Sequence, residues 1–297
     1  MPSTRDIRRR IKSVKSTAQI TKAMQLVAAS KMKKAQDQAI AGRHYSNLIN
    51  KVLVNLKEKV GDESHNLLEE RTGDKEILLL VTTDKGLCGG LNTNLIRKAL
   101  DSAGANTTFV TVGRKGCQSI GRLKKDLLAD FPVADPASFV QCKTVSKFVL
   151  DKFLEDPEIG RVRVAFTNFI TTLTQTPTIE TLLPINPMTL GRVMDFEGVG
   201  GGDKPESAQE DFTGYEFEPN ASAVFDSVLP QYVNNQFYQM VLESRASEHS
   251  ARMVAMKSAT DNAKQLIKDL TLEYNKLRQA SITNELLEIT TAMKALE

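Results

Sequence analysis

No run of apolar residues exceeds the five of Ile77 to Val81, far short of the roughly 18 needed to cross a bilayer, so a chain soluble by itself is expected. No apolar stretch follows Met1-Pro2-Ser3. A secretory leader is therefore not expected, a transit peptide could only have been removed beforehand, and a cytosol-facing protein is the default. Lys and Arg number 39 against 36 Asp and Glu, a balance that excludes a uniformly basic coat for nucleic acid. Cysteine is scarce. Cys88, Cys117 and Cys142 are odd in number and fit no zinc or disulfide spacing, which reads as reduced thiols.

Helix breakers are missing from both ends. The chain has 17 Gly and 10 Pro, and all but Pro2 and Gly42 fall between Gly61 and Pro230. Gln231 to Glu297 contains neither, enough for one helix of roughly 100 Å at 1.5 Å per residue, and Pro230 is expected in a tolerant first turn. The segment from about Ser3 to Val60 is nearly as long.

Both ends carry seam spacing. Ile7, Ile11, Val14, Ala18 and Thr21 step by 4, 3, 4, 3, after which Ile20, Met24 and Val27 take over one position earlier. Ala263, Ile267, Leu270, Tyr274 and Leu277 repeat the pattern, and Ile282, Leu286, Ile289, Met293 and Leu296 resume it after a longer jump. Small residues such as Ala18, Ala28, Ala35, Ala255 and Ala263 allow close backbone approach. Helices this long must bury their stripes, and each is the other's obvious partner. Slips in the seam imply a short or locally unwound coiled coil.

The middle differs. Ile77 to Thr83 and Thr107 to Val112 read as strands, with helices at Asn92 to Ala103, Arg114 to Ala129 and Lys143 to Leu154, then strands at Arg161 to Phe169 and Thr178 to Leu183. Alternation of this kind predicts a small α/β, Rossmann-like layer domain. The fold class is thus α/β: a long antiparallel coiled coil of N- and C-terminal helices plus a central α/β domain. The expected division is 1–60 N-terminal helix, 74–190 α/β domain, 191–218 connector and foot with a glycine-rich stretch at Gly198 to Gly202, and 220–297 C-terminal helix.

Catalytic chemistry is sparse. There is no Gly-x-x-x-x-Gly-Lys-Ser/Thr, and the turn Gly86 to Gly90 lacks dinucleotide spacing, so ATP binding at background level is expected. His44, His65 and His249 have no ligand or triad partners at short spacing and are expected to be solvated. No cofactor or metal is implied. Residues 1–34 hold ten cations (Arg5, Arg8, Arg9, Arg10, Lys12, Lys15, Lys22, Lys31, Lys33, Lys34) against Asp6 alone. Such an arm can coat nucleic acid, but no aromatic residue precedes Tyr45 to stack a base, and acidic protein surface suits it as well. A nucleotide-dependent enzyme and a coiled-coil nucleic-acid or scaffold protein stand as alternatives; a cysteine pair near Val14 and Leu277 would test intrachain pairing.

Four stretches occur in order: Asp6 to Arg8 with Ile20-Thr21-Lys22-Ala23-Met24-Gln25-Leu26-Val27-Ala28-Ala29-Ser30-Lys31; Thr83-Asp84-Lys85-Gly86-Leu87-Cys88-Gly89-Gly90-Leu91; Ala251-Arg252-Met253-Val254-Ala255-Met256-Lys257; and Arg278-Gln279-Ala280-Ser281-Ile282-Thr283-Asn284-Glu285-Leu286-Leu287-Glu288-Ile289. Together they resemble the F-type ATP synthase gamma subunit, in its bacterial form, over the full length. The redox-regulatory cysteine insertion of the chloroplast version is absent.

The resemblance implies a non-catalytic rotor shaft. Its terminal helices would turn inside a hexamer of alpha and beta subunits, with the epsilon subunit and membrane c ring at the foot. Such a subunit couples ion flow to ATP synthesis and hydrolysis, binds no nucleotide or nucleic acid, and meets the membrane only peripherally, at the cytoplasmic face of the bacterial inner membrane. By position, Lys22 and Met24 match the helix near the acidic lever of a beta subunit, and Lys85 and Cys88 the turn that approaches it. Arg278 and Gln279 match contacts to the catch loop of a beta subunit, Arg252, Thr283 and Glu285 match coupling positions, and Tyr215 matches the foot near the c ring.

Overall fold

The computed structural model describes residues 3–60, 65–185, 218 and 220–296. The connector that holds Tyr215 and Gly198 to Gly202 lies outside the described residues, as does the side chain of His44. Among the described residues ten elements follow in chain order: α1 (Thr4–Val60), β1 (Lys75–Val81), α2 (Leu91–Ser102), β2 (Thr107–Val112), α3 (Arg114–Arg122), β3 (Leu127–Phe131), α4 (Phe139–Glu155), β4 (Ile159–Phe169), β5 (Gln175–Leu183) and α5 (Ala221–Leu296). They divide into two compact units, one of residues 1–28 with 253–297 and one of residues 29–252.

In the first unit the helix ends pair antiparallel. Arg8 Nη2 donates to the Tyr274 hydroxyl at 2.6 Å and its guanidinium lies 5.5 Å from the ring centre, while the Thr21 and Thr260 hydroxyls meet at 2.7 Å. Moving 13 residues forward on α1 thus moves 14 back on α5. In that register Val14 faces the region of Ile267, not Leu277. Ser3 opens α1 with a capping box: its Oγ accepts the Asp6 N–H at 3.2 Å and its own N–H donates to Asp6 Oδ2 at 3.4 Å. That contact holds the exposed Asp6 carboxyl below its ordinary range.

The α1 seam does not slip. Buried and half-buried positions run Ile7, Ile11, Val14, Ala18, Thr21, Gln25, Ala28, Met32, Ala35, Ala39 and Gly42, stepping 4 and 3 throughout, while Ile20 and Val27 are exposed. Polar Gln25 hides this register in the sequence. On α5 the seam runs through Met256, Thr260, Ala263, Ile267, Leu270, Tyr274 and Leu277 and stops there. Ile282, Leu286, Ile289 and Met293 are exposed, because in this register the start of α1 at Thr4 lies opposite about Arg278, so the described part of α1 does not reach them.

The second unit holds a five-stranded sheet in the order β3-β2-β1-β4-β5, parallel except for β5, which runs antiparallel to β4. Strand side chains alternate between two cores. Leu78, Leu80, Phe109 and Ala165 pack with Leu95, Ala99 and Ile120 of α2 and α3. Ile77, Leu79, Val81, Val110, Val164 and Phe166 share a larger core with α4, with Leu53 and Leu56 of α1, and with Phe225, Leu229, Val233 and Phe237 of α5. At Gly42, where α1 and α5 approach, a Cβ would meet the side-chain amide of Gln239 and require that amide to move.

Three sequence readings change. The helix expected over Arg114 to Ala129 ends at Arg122, Lys124 turns the chain at φ 53°, and Leu127–Phe131 becomes the sheet-edge strand β3. Strand β5 starts earlier, at Gln175, and accommodates Pro177 because it is the other edge. Pro230 lies inside α5 rather than in its first turn; Asn220 caps that helix by accepting the Ala223 N–H at 2.7 Å, and Pro230 leaves one helical hydrogen bond unmade.

Candidate functional site: a braced turn at the sheet's carboxyl edge

In a doubly wound sheet, ligands enter the crevice beyond the carboxyl ends of the strands, where the strand order reverses. Here that place lies between β1 and β4, and α5 fills it. Ser247 Oγ donates to the Thr167 carbonyl of β4 at 3.0 Å and Ser250 Oγ to the Thr172 carbonyl at 2.7 Å. Arg245, 6% exposed, donates to the Val133 carbonyl at 2.6 Å and to Asp84 Oδ2 at 3.4 Å, just past the end of β1. A cofactor phosphate would have to displace a buried guanidinium and its partners. Among the described residues no group of His, Cys, Asp and Glu is arranged to hold a metal.

The turn after β1 is braced from two sides. Inside it, the Thr83 hydroxyl donates to the Lys85 carbonyl at 2.7 Å, and the Asn92 amide donates to Thr83 Oγ1 at 2.8 Å and to Cys88 Sγ at 3.4 Å. Leu87 and Gly89 adopt φ of 64° and 62°, which turns the chain sharply; glycine adopts this freely and leucine only because the bracing holds it. From outside, Arg252 donates to the Lys85 carbonyl at 3.1 Å and the Gly86 carbonyl at 3.3 Å. Lys85 and Leu87 point outward while Cys88 is buried. Burial pushes the Cys88 thiol up despite the nearby Arg252, and burial pushes Cys142 to about 12. Both are free thiols.

Of the sequence-derived candidates, Lys85, Cys88 and Arg252 therefore converge within the second unit. Lys22, Met24, Arg278, Gln279, Thr283 and Glu285 belong to the first. There Lys22 donates to Gln25 Oε1 at 3.3 Å and Met24 is half-buried. Arg278, Gln279, Thr283 and Glu285 stand exposed on α5, with Thr283 bonded to the Gln279 carbonyl at 2.9 Å and Glu285 to Ser281 at 3.2 Å. Tyr215 lies outside the described residues.

Sequence reasoning missed the groups that hold Arg252. Glu248 accepts from Arg252 at 2.7 Å and from Arg245 at 2.9 Å, so one buried carboxylate, 6% exposed, serves two guanidiniums. His249, expected to be solvated, is 2% exposed. Its Nε2 lies 3.2 Å from Asp135 Oδ1, its Nδ1 lies 3.4 Å from Arg252 Nη1, and Lys31 of α1 closes on Asp135 Oδ2 at 2.7 Å. The available signal was spacing: Arg245, Glu248, His249 and Arg252 recur at helical intervals in a stretch with no apolar stripe.

The family model described as ATP synthase matches residues 3–296. The gamma chain of Akkermansia muciniphila is 49% identical with all of both chains covered, and that of Opitutus terrae is 48% identical with 99% of each covered. The chain belongs to the ATP synthase gamma chain family. Among solved structures, the fold is shared with chains from a Euglena gracilis mitochondrial ATP synthase in its OSCP/F1/c-ring (TM-score 0.66, 20% identity, 99% of this chain and 94% of that one) and from the Tetrahymena thermophila central stalk and c ring (TM-score 0.59, 22% identity, 81% and 99%). As a gamma chain it is a non-catalytic subunit, the rotor shaft of an ATP synthase. The full-length match leaves the nucleic-acid and scaffold alternative without support.

Proposed function

We propose that this gamma chain transmits torque between the membrane c ring and the catalytic beta subunits, turning within the cavity of the alpha-beta hexamer with the epsilon subunit at its foot. The observation that carries this reading is the last stretch of α5. From Arg278 to Lys294 every position is exposed, yet Ile282, Leu286, Leu287, Ile289 and Met293 are apolar. Contiguous exposed apolar surface favours a docking role, and a sleeve built by other subunits suits a helix exposed all round.

Arg278, Gln279, Thr283 and Glu285 would contact beta subunits there. Lys22 and Met24 would do so on α1, and Lys85, Cys88 and the Arg252 brace at the turn. Tyr215 would meet epsilon and the c ring. The working division is 1–60, 74–190, 191–218 and 220–297. Among the described residues no helix is long and apolar enough to cross a membrane, consistent with peripheral attachment through the complex, at the cytoplasmic face of a bacterial inner membrane. The test is co-purification from membranes followed by ATP turnover of the stoichiometric complex. A complex whose turnover and ion pumping are unchanged by Arg278→Ala with Gln279→Ala would refute the assigned contacts.

A further inference from the structure

We propose that His249 is a proton-sensitive latch that keeps Arg252 on the turn at Lys85 and Gly86 when neutral and releases it when protonated. The geometry fixes the hydrogen-bonding roles. Asp135 Oδ1, 3.2 Å from Nε2, is a carboxylate that can only accept, so Nε2 carries the proton. Arg252 Nη1, 3.4 Å from Nδ1, can only donate, so Nδ1 must offer its lone pair. Both demands are met by one neutral tautomer and by no charged form. A proton on Nδ1 removes the acceptor and sets a cation against the guanidinium.

Arg252 cannot simply turn aside, because the same guanidinium holds Glu248 Oε1 and the Lys85 and Gly86 carbonyls. Repulsion at His249 is therefore felt by the turn.

The surrounding charges set the direction. Glu248, beside His249 in sequence, and Asp135 on the segment between β3 and α4 favour the imidazolium, while burial and Arg252 oppose it, burial being the largest influence. Lys31 from α1 already engages Asp135, Arg245 engages Glu248 and Asp84, and Asp135 is itself held below its ordinary range, so it stays ionised through the relevant window. Neutral His249 is favoured in the fold. The latch is thus closed at and above neutral pH and opens on acidification below the ordinary value of 6.5.

The consequence for coupling rests on reading the turn as a partner contact, but the latch is tested on the full chain alone, so the two readings fail separately. Hydrogen exchange of the amides of residues 84–91 would be followed from pH 7.5 to 5.0, after correction for the intrinsic pH dependence of exchange. The wild-type chain should lose protection at least about fivefold as His249 titrates. His249→Gln should abolish that loss, because a glutamine amide can donate to Asp135 and accept from Arg252 but does not take up a proton. An equal pH response in both chains overturns the latch. Should His249→Gln fail to fold, Asp135→Asn decides: loss of the carboxylate should move the midpoint of the protection change to lower pH, and an unmoved midpoint overturns the proposal. At pH 7.5, nitrogen NMR should show the Nε2–H tautomer, and an Nδ1–H signal would equally refute it.

Discussion

One helix passes through two opposite environments. Between Tyr232 and Ser250, α5 is enclosed on nearly every side yet carries Asn234, Asn235, Gln239, Glu243, Arg245, Glu248 and His249. Between Arg278 and Lys294 it is exposed on every side yet carries five large apolar residues. Polar groups sit inside and apolar groups outside, the reverse of an ordinary globular surface. The inner stretch bears its desolvation cost because its charges are paired and its neutral polar groups are bonded: Arg245 and Arg252 share Glu248, and the Ser146 hydroxyl donates to Asn234 Oδ1 at 2.5 Å. Among the described residues nothing compensates the outer stretch in this way, which supports the proposed reading of it as partner surface. Burial along α5 therefore reports where the chain is finished and where it awaits a complex.

Breaking the inner pairing should have the largest effect. Glu248→Ala leaves Arg252 without its carboxylate and Arg245 with only the more distant Asp84, and a loss of about 3–5 kcal/mol is expected in urea unfolding of the chain; a loss under about 1 kcal/mol would mean that water already screens the network. At the outer stretch, Arg278→Ala with Gln279→Ala removes exposed groups whose proposed hydrogen bonds to a partner would contribute about 1.5–3 kcal/mol where they are charge-assisted. Chain stability should hold while ATP hydrolysis by the assembled complex falls several-fold, and loss of assembly would reassign the pair to packing.

Acid sharpens the contrast next. Because burial lowers the His249 value below 6.5, the unfolded chain takes up its proton first on acidification. Stability from this group is complete above 6.5 and falls by about 1.4 kcal/mol per pH unit below it until the folded group also titrates. The difference between wild type and His249→Gln in unfolding at pH 7.5 and 5.5 isolates the effect. The smallest change is expected for Ile282→Ser with Leu286→Ser, within about 0.5 kcal/mol for each site in the chain alone, with weakened assembly as the readout that separates partner surface from hidden core.

Long elements were legible because breakers and periodicity speak over many residues: the absence of Gly and Pro after Pro230 anticipates the continuous α5, and Ala263 to Leu277 lie on the seam as read. Short or polar signals were not. Strand β3 hides in Leu127–Phe131 because its start looks like the end of an amphipathic helix and its edge position leaves alternate residues exposed. The α1 seam passes through Gln25, so the apolar Ile20, Met24 and Val27 suggested a slip that packing does not make. At the site, Lys85, Cys88 and Arg252 were found by resemblance and their convergence was invisible. So was the partner set of His249, since Asp135 and Lys31 lie more than a hundred residues away along the chain, at separations of 114 and, between themselves, 104.

The pairing of Arg8 with Tyr274 and of Thr21 with Thr260 spans 266 and 239 residues of sequence, which sets an order on biosynthesis. The first helix leaves the ribosome with its seam uncovered and waits for nearly the entire chain; at about 5–20 residues per second that interval is roughly 12–50 s. During it, an apolar stripe on a nascent helix would invite association with neighbouring chains. The ten cations among the first 34 residues surround that stripe with like charge, so two nascent copies repel while the correct partner, neutral over Gln231 to Glu297 with eight charges of each sign, does not.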